Sequence, residues 1–249
     1  MKSLVRWCLA LGVAGVTLTG TWFAGALEAL ALTEAQIIER LQSVPVFAVA
    51  DENGAPLVAR IPDQQNTSNA DGDSVAGVFI NPGDAEAFIN RLKQENPNLG
   101  NKLQIIPVSL GDIYQLDRRN GTQTEGVNFT YVPTTRQVEL AEQVNSAQDF
   151  QGVPLFVAKG GNEGGYLTLQ QNNEQVIPFF FEKERLEQMV ARFKEQQPSL
   201  ANTVQIQAIP LEGVIQTLEQ NDSAELEKIV LIPTQASLEY INLLRQQQQ

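Results

Sequence analysis

Histidine is missing from all 249 residues, and the one cysteine, Cys8, stands near the N-terminus. Without imidazole or a second thiolate, the zinc, copper and non-haem iron sites that need nitrogen and sulfur ligands are excluded. The triads built on histidine go with them, as does the one side chain whose ordinary pKa lies near neutrality. No intrachain disulfide can form, so stability must come from a core, which a chain of this size can bury. Basic residues are also scarce, 17 against 29 acidic, for a formal charge of −12. Such a surface repels nucleic acid and anionic lipid headgroups.

The first 31 residues stand apart. Lys2 and Arg6 precede an apolar run from Trp7 to Leu18, and small residues lead to Ala29-Leu30-Ala31. Positive, apolar, then small with an A-x-A site is the order of a secretory signal peptide. The alternative is an uncleaved anchor, since Trp7 to Leu27 approaches the roughly 20 residues that cross a bilayer. Thr17, Thr19, Gly20 and Thr21 interrupt that stretch. Cys8 follows Trp7, where a lipoprotein signal needs a small residue. Cleavage would remove Lys2, Arg6 and Glu28, leaving 15 basic and 28 acidic side chains, a formal charge of −13. No tight membrane insertion is then expected of the mature part.

An internal repeat organises the rest. A shift of 101 residues superposes Phe79–Leu116 on Phe180–Thr217, and 11 of the 38 pairs are identical, among them Phe79/Phe180, Arg91/Arg192, Pro97/Pro198 and Leu110/Leu211. Chance gives roughly two or three. Val44-Pro45-Val46-Phe47 answers Val153-Pro154-Leu155-Phe156, and Tyr131-Val132-Pro133-Thr134 answers Leu231-Ile232-Pro233-Thr234. The expected organisation is residues 1–31 as signal peptide, 32–139 as the first unit and 140–249 as the second, in one body with pseudo-two-fold symmetry.

Each unit reads the same way. After the V-P-[VL]-F strand comes a hairpin partner, Leu57–Ile61 or Tyr166–Leu169, then an apolar strand, Val75–Ile80 or Val176–Phe181. Ala85, Phe88, Ile89 and Leu92 answer Leu186, Met189, Val190 and Phe193, the stripe of an amphipathic helix. Asn81 before Pro82 starts the first of these helices, and Pro97 and Pro198 mark where the two have ended. Then come a strand (Leu103–Val108, Val204–Ile209), a short helix from Leu110 or Leu211, and a last strand (Val127–Val132, Lys228–Ile232). Further helices are expected to begin at Thr33, Thr134 and Thr234, the first with Gln36 in a capping box. The fold expected is α+β, an internal duplication of two pseudo-symmetric units, each a mostly antiparallel sheet covered by helices. Asp63–Ser74 reads as a mobile loop and Gln246–Gln249 as a frayed tail.

Chemistry-bearing patterns are few. Asn69, Asp71 and Asp73 have the spacing of an EF-hand's first ligands, but Ser74 and Ile80 stand where glycine and a bidentate glutamate belong. Gly160–Gly165 leads into a strand rather than a helix, which makes it a hairpin turn and not a phosphate cradle. The many carboxylates sit mostly on helix faces among Lys and Arg, as in Glu182-Lys183-Glu184-Arg185, and read as solvated surface. No catalytic residue, cofactor site or metal site is expected. Phe179-Phe180-Phe181 puts aromatic rings on both faces of one strand. Either helices cover both faces, or part of the apolar surface stays open as a groove for other polypeptides.

The signal-like start, Leu41-x-x-Val44-Pro45-Val46-Phe47, Gly152-Val153-Pro154-Leu155-Phe156 and the doubled strand-helix unit together resemble one family. It is the small intermembrane-space subunit of the translocon at the inner envelope of chloroplasts, in its cyanobacterial, periplasmic form. The resemblance implies a non-enzymatic, chaperone-like factor in the periplasm or the lumen of the thylakoids. It also implies partners, namely outer-membrane protein precursors or envelope assembly machinery, and apolar pockets on each half. Phe47, Phe79, Phe88, Phe156, Phe180 and Met189 are the candidate polypeptide-contacting residues. An adaptor that docks on folded machinery and a hydrolase using carboxylates alone are the other readings.

Overall fold

The structure, a computed structural model, describes residues 32–61, 73–120, 126–146, 149–161, 164–221, 223 and 225–247. The expected export segment, residues 63–72 of the polar stretch, and Asn69 and Asp71 lie outside them.

The first helix, α1 (Glu34–Leu41), begins as its sequence dictates: Gln36 N donates to Thr33 Oγ1 at 3.3 Å, and Thr33 N donates to Gln36 Oε1 at 2.9 Å. Two orphan donors are thereby satisfied reciprocally. There follow β1 (Pro45–Ala50), β2 (Val58–Ile61), β3 (Asp73–Phe79), α2 (Pro82–Glu95), the single turn α3 (Pro97–Gly100), β4 (Gln104–Ser109), α4 (Leu110–Asn120) and β5 (Val127–Val132). After the connecting helix α5 (Thr135–Asn145) the order recurs: β6 (Pro154–Gly160), β7 (Gly165–Tyr166), β8 (Leu169–Gln171), β9 (Glu174–Phe180), α6 (Lys183–Gln196), a 3-10 stretch (Pro198–Thr203), β10 (Gln205–Pro210), α7 (Leu211–Gln220), β11 (Ile229–Ile232) and α8 (Gln235–Gln247).

The fold is α+β with two sheets. In the first, β4, β1 and β3 run antiparallel, β2 pairs with the start of β3, and β5 lies parallel to β3. In the second, β10, β6 and β9 are antiparallel and β11 is parallel to β9. Equivalent residues occupy equivalent registers: Phe47 faces Phe79 and Pro107, while Phe156 faces Phe180 and Ala208.

Strand alternation then sorts the side chains into three layers. Val46 and Val78 of the first sheet and Leu155, Val157, Phe179 and Phe181 of the second point into a shared central core, which α1, α4 and α7 complete. Phe47, Val49 and Phe79 point outward under α2, and Phe156, Ala158 and Phe180 point outward under α6. The triple phenylalanine is thus covered on both faces of its strand.

The helices that follow each unit are exchanged. Ala141 of α5, the helix after the first unit, is buried in the outer cluster of the second sheet. Tyr240 of α8, the helix after the second unit, meets Phe47 of the first sheet edge to face at 5.2 Å. Polar ties fix both crossings. Gln137 Oε1 accepts from Lys183 N at 3.0 Å, and Ser237 Oγ donates to Ile80 O at 2.9 Å. The expected boundary at residues 139 and 140 therefore falls within the continuous helix α5.

Sheet edges are closed by side chains. Asn145 Nδ2 donates to Ala208 O at 2.8 Å and its Oδ1 accepts from Ala208 N at 3.1 Å, so one amide imitates a neighbouring strand on β10. The same register position of β4 is Pro107, which has no N–H to offer. On β5, Asn120 Nδ2 donates to Val127 O at 2.8 Å, and Phe129 N donates to Asp117 Oδ1 at 3.2 Å.

Some expectations need correction. Tyr166–Leu169 is not one strand: β7 ends at Tyr166, Leu167 turns into the outer cluster, and β8 pairs with β9 instead. Asn172 and Asn173, both at positive φ (50° and 67°), form the two-residue turn between β8 and β9. Thr134 starts a helix as expected, but its hydroxyl donates to Asp84 Oδ2 at 2.8 Å rather than capping α5. Gln246 and Gln247, expected to fray, belong to α8.

Candidate polypeptide-binding hollows

Two hollows of about 480 Å³ each, the first mainly apolar and the second mixed, open on the outer faces of the two sheets, at equivalent places. The first lies beside α2 and is lined by Leu57, Val58, Val75, Phe79, Phe88, Arg91 and Leu92, with Val49 and Val132 from the sheet. The second lies beside α6 and is lined by Leu167, Thr168, Leu169, Phe180, Arg185, Gln188, Met189, Arg192, Phe193 and Gln196. Phe79 and Phe180, Phe88 and Met189, Arg91 and Arg192, and Leu92 and Phe193 correspond under the 101-residue shift.

Helical spacing creates each wall. On α2, Ala85 and Ile89 go down into the core while Phe88, Arg91 and Leu92, a further part of a turn round, overhang the sheet. Phe79 and Phe88 meet with ring centroids 5.4 Å apart, and the Arg91 guanidinium lies 5.8 Å from the Phe88 centroid. Val58 and Leu169, two of the few exposed large apolar residues among those described, stand at the respective mouths.

Of the six candidate contact residues, the structure brings Phe79 and Phe88 to the first hollow and Phe180 and Met189 to the second. Phe47 and Phe156 are fully buried, at 0 % exposure, and line neither. Their strand parity is the expected one, but α8 closes over Phe47 through Tyr240, and Phe156 lies in the covered cluster with Ala141 and Leu186. They support the hollows' floors and cannot touch a bound chain. Sequence reasoning missed Leu92, Phe193, Arg91 and Arg192 as wall residues. The repeat carried the signal for the arginines, which are among its identical pairs.

Among the described residues, no carboxylate is raised as a general acid would be. Glu184 is held below the ordinary carboxylate range although burial opposes this, because hydrogen bonds from Gln137 and Arg136 outweigh it. Asp51 is lowered by backbone N–H donors, first that of Ala55. Both move away from the raised values that a general acid requires. Burial pushes Tyr114 up to about 12, with help from the Glu219 carboxylate that its hydroxyl donates to at 2.9 Å. Burial raises Tyr131 too. Among the described residues, no three Asp, Glu, Cys or His side chains gather as a metal site would need.

Comparison with known proteins gives a concordant result. The profile of the Tic22-like family matches residues 13–242. A curated relative from Arabidopsis thaliana, Protein TIC 22-like, chloroplastic, is 27% identical over 79% of this chain and 60% of its own length. Protein TIC 22, chloroplastic, from Pisum sativum is 23% identical over 82% of this chain and 75% of its own. This chain thus spans somewhat less than two thirds of the Arabidopsis relative. Among solved structures, Anabaena Tic22, described as a protein of protein transport, superposes with a TM-score of 0.76 and 30% identity over 85% of this chain and 97% of its own. Tic22 from Plasmodium falciparum shares the fold, with a TM-score of 0.67 at 20% identity over 84% of this chain and 97% of its own. The match spans both sheets and their hollows, and the chain belongs to the Tic22-like family.

Proposed function

We propose that this protein is a chaperone-like factor of protein transport that works in the periplasm and binds unfolded or precursor polypeptides, those of outer-membrane proteins in particular. The observation that carries the reading is the pair of equivalent hollows on the outer faces of the two sheets, each with aromatic and aliphatic side chains in its wall. An unfolded barrel strand presents apolar side chains at every second residue, and each one that enters a hollow contributes about 1.5–3 kcal/mol at full burial. Two such sites on one rigid body raise the strength with which a long chain is held. The transport role of the Anabaena relative supports the same reading. The role is a non-catalytic one.

Export is part of the proposal and rests on the signal-like order of residues 1–31. Among the described residues no helix is long and apolar enough to cross a membrane. The test is aggregation of a denatured outer-membrane barrel protein diluted into buffer with the mature chain. Suppression near stoichiometric ratio is expected. No effect at large excess, together with binding to folded assembly domains, would replace the reading with that of an adaptor.

A further inference from the structure

The chain carries 29 acidic residues against 17 basic ones, yet no carboxylate lines either hollow among the described residues. Other surface depressions do contain them: Asp112 lines the one beside α8, Glu39 the one on α1, and Glu225 the one below β11. What each hollow holds instead is an arginine at the same repeat position, Arg91 on α2 and Arg192 on α6; the second also holds Arg185, whose guanidinium donates to Pro233 O at 2.7 Å. Among the described residues neither is in an ion pair, since those found involve Arg118, Arg136 and Lys183. Arg91 is drawn over the Phe88 ring, which keeps its charge at the rim. On α6 the other lining residues one turn either side of Arg192 are Gln188 and Gln196, and the carboxylates one turn on from the two arginines, Glu95 and Glu195, line neither hollow.

We infer that the hollows select polypeptide segments in which an apolar side chain is followed or preceded within a residue or two by an Asp or Glu. The inference rests on the proposed binding of unfolded chains and specifies which segments are taken. The apolar side chain enters against Phe79 and Phe88, or against Phe180 and Met189. Its acidic neighbour then meets the guanidinium at the rim, a group whose planar fork suits a carboxylate. Elsewhere the negative surface repels the same acidic segment, so only a segment that presents both features gains. Net charge alone demands the opposite preference, for basic segments. The two sources of charge therefore predict opposite rank orders.

The probes are three fluorescent ten-residue peptides, amidated at the C-terminus, identical except that the residues flanking a central Leu-Phe-Leu are Glu, Gln or Lys. Anisotropy titration of the intact mature chain is expected to rank them Glu, Gln, Lys, with about threefold per step, the scale of an exposed charge pair. The R91Q/R192Q variant alters two exposed side chains. It should keep the melting temperature and lose the preference for Glu, while R91K/R192K restores most of the original rank. Equal affinity for all three, or a preference for Lys in the unaltered protein, overturns the inference and leaves the chaperone reading standing. No binding of any peptide, the neutral one included, overturns both. Binding to phosphatidylglycerol vesicles with an R91Q/R192Q-sensitive affinity, in place of peptide binding, would assign the arginines to lipid headgroups and overturn it as well.

Discussion

At the scale of single residues, burial separates support from contact. Phe47 and Phe156 are sealed beneath helices, so F47A or F156A leaves a cavity that the neighbours only partly fill, at a cost of about 3–5 kcal/mol. Phe88 and Met189 are half-buried at the hollows, and F88A or M189A should cost about 1.5 kcal/mol or less. The expected outcome is a crossed pattern. Denaturant melts shift strongly for the first pair and weakly for the second, whereas suppression of client aggregation is lost in the F88A/M189A double variant. Tyr114 gives a second prediction. Its folded pKa, about 12, exceeds the ordinary 10, so the folded state holds its proton more tightly than the unfolded chain. That contribution is fully present below pH 10 and is lost as pH rises towards 12. Melts taken from pH 9 to pH 12 should lose stability over this window, and Y114F should flatten part of the loss. Tyr131, raised the same way by burial, adds to the loss.

At the scale of elements, the sequence was readable wherever one face or one cap decided the outcome. The stripe of Ala85, Ile89 and Leu92 made α2, the Thr33–Gln36 box began α1, and V-P-[VL]-F marked both central strands. Legibility failed where a distant partner decided. Nothing near Phe47 reveals that Tyr240 will cover it, and nothing in Tyr166–Leu169 reveals that Leu167 will be drawn into the core below α6 while its neighbours pair with different strands. Hollows on each half were expected, but that Phe47 and Phe156 line neither of them escaped for a related reason: periodicity shows that a face is apolar, and only packing shows how much of it stays uncovered. The edges yield a prediction at this scale. Asn145 occupies both outward groups of Ala208, so N145A frees a hydrogen-bonding edge on β10 while the rest of the sheet stays intact. Sedimentation should show larger, concentration-dependent species for N145A relative to the unaltered chain. Identical profiles up to a few hundred micromolar would argue that α5 itself, rather than its amide, guards the strand.

At the scale of the whole molecule, the exchange of α5 and α8 and the shared central core join the halves. Leu41 and Leu110 pack in one cluster with Leu155, Leu211 and Leu218. Each half alone would expose most of that surface, so residues 32–145 and 146–249 expressed separately should not fold, and the intact mature chain should melt in a single transition. Calorimetry checks both: two separable transitions, or a folded isolated half, would show that the halves are independent.

Because the ring that shelters Phe47 belongs to Tyr240, a segment made long after β1 completes the layer that Phe47 begins. A ribosome releases residues in order, so until α8 emerges the Phe47 face of the first sheet has only α2 to cover it. Completion of that layer therefore waits for α8, and the outer face of the first sheet closes only after the second sheet has been made.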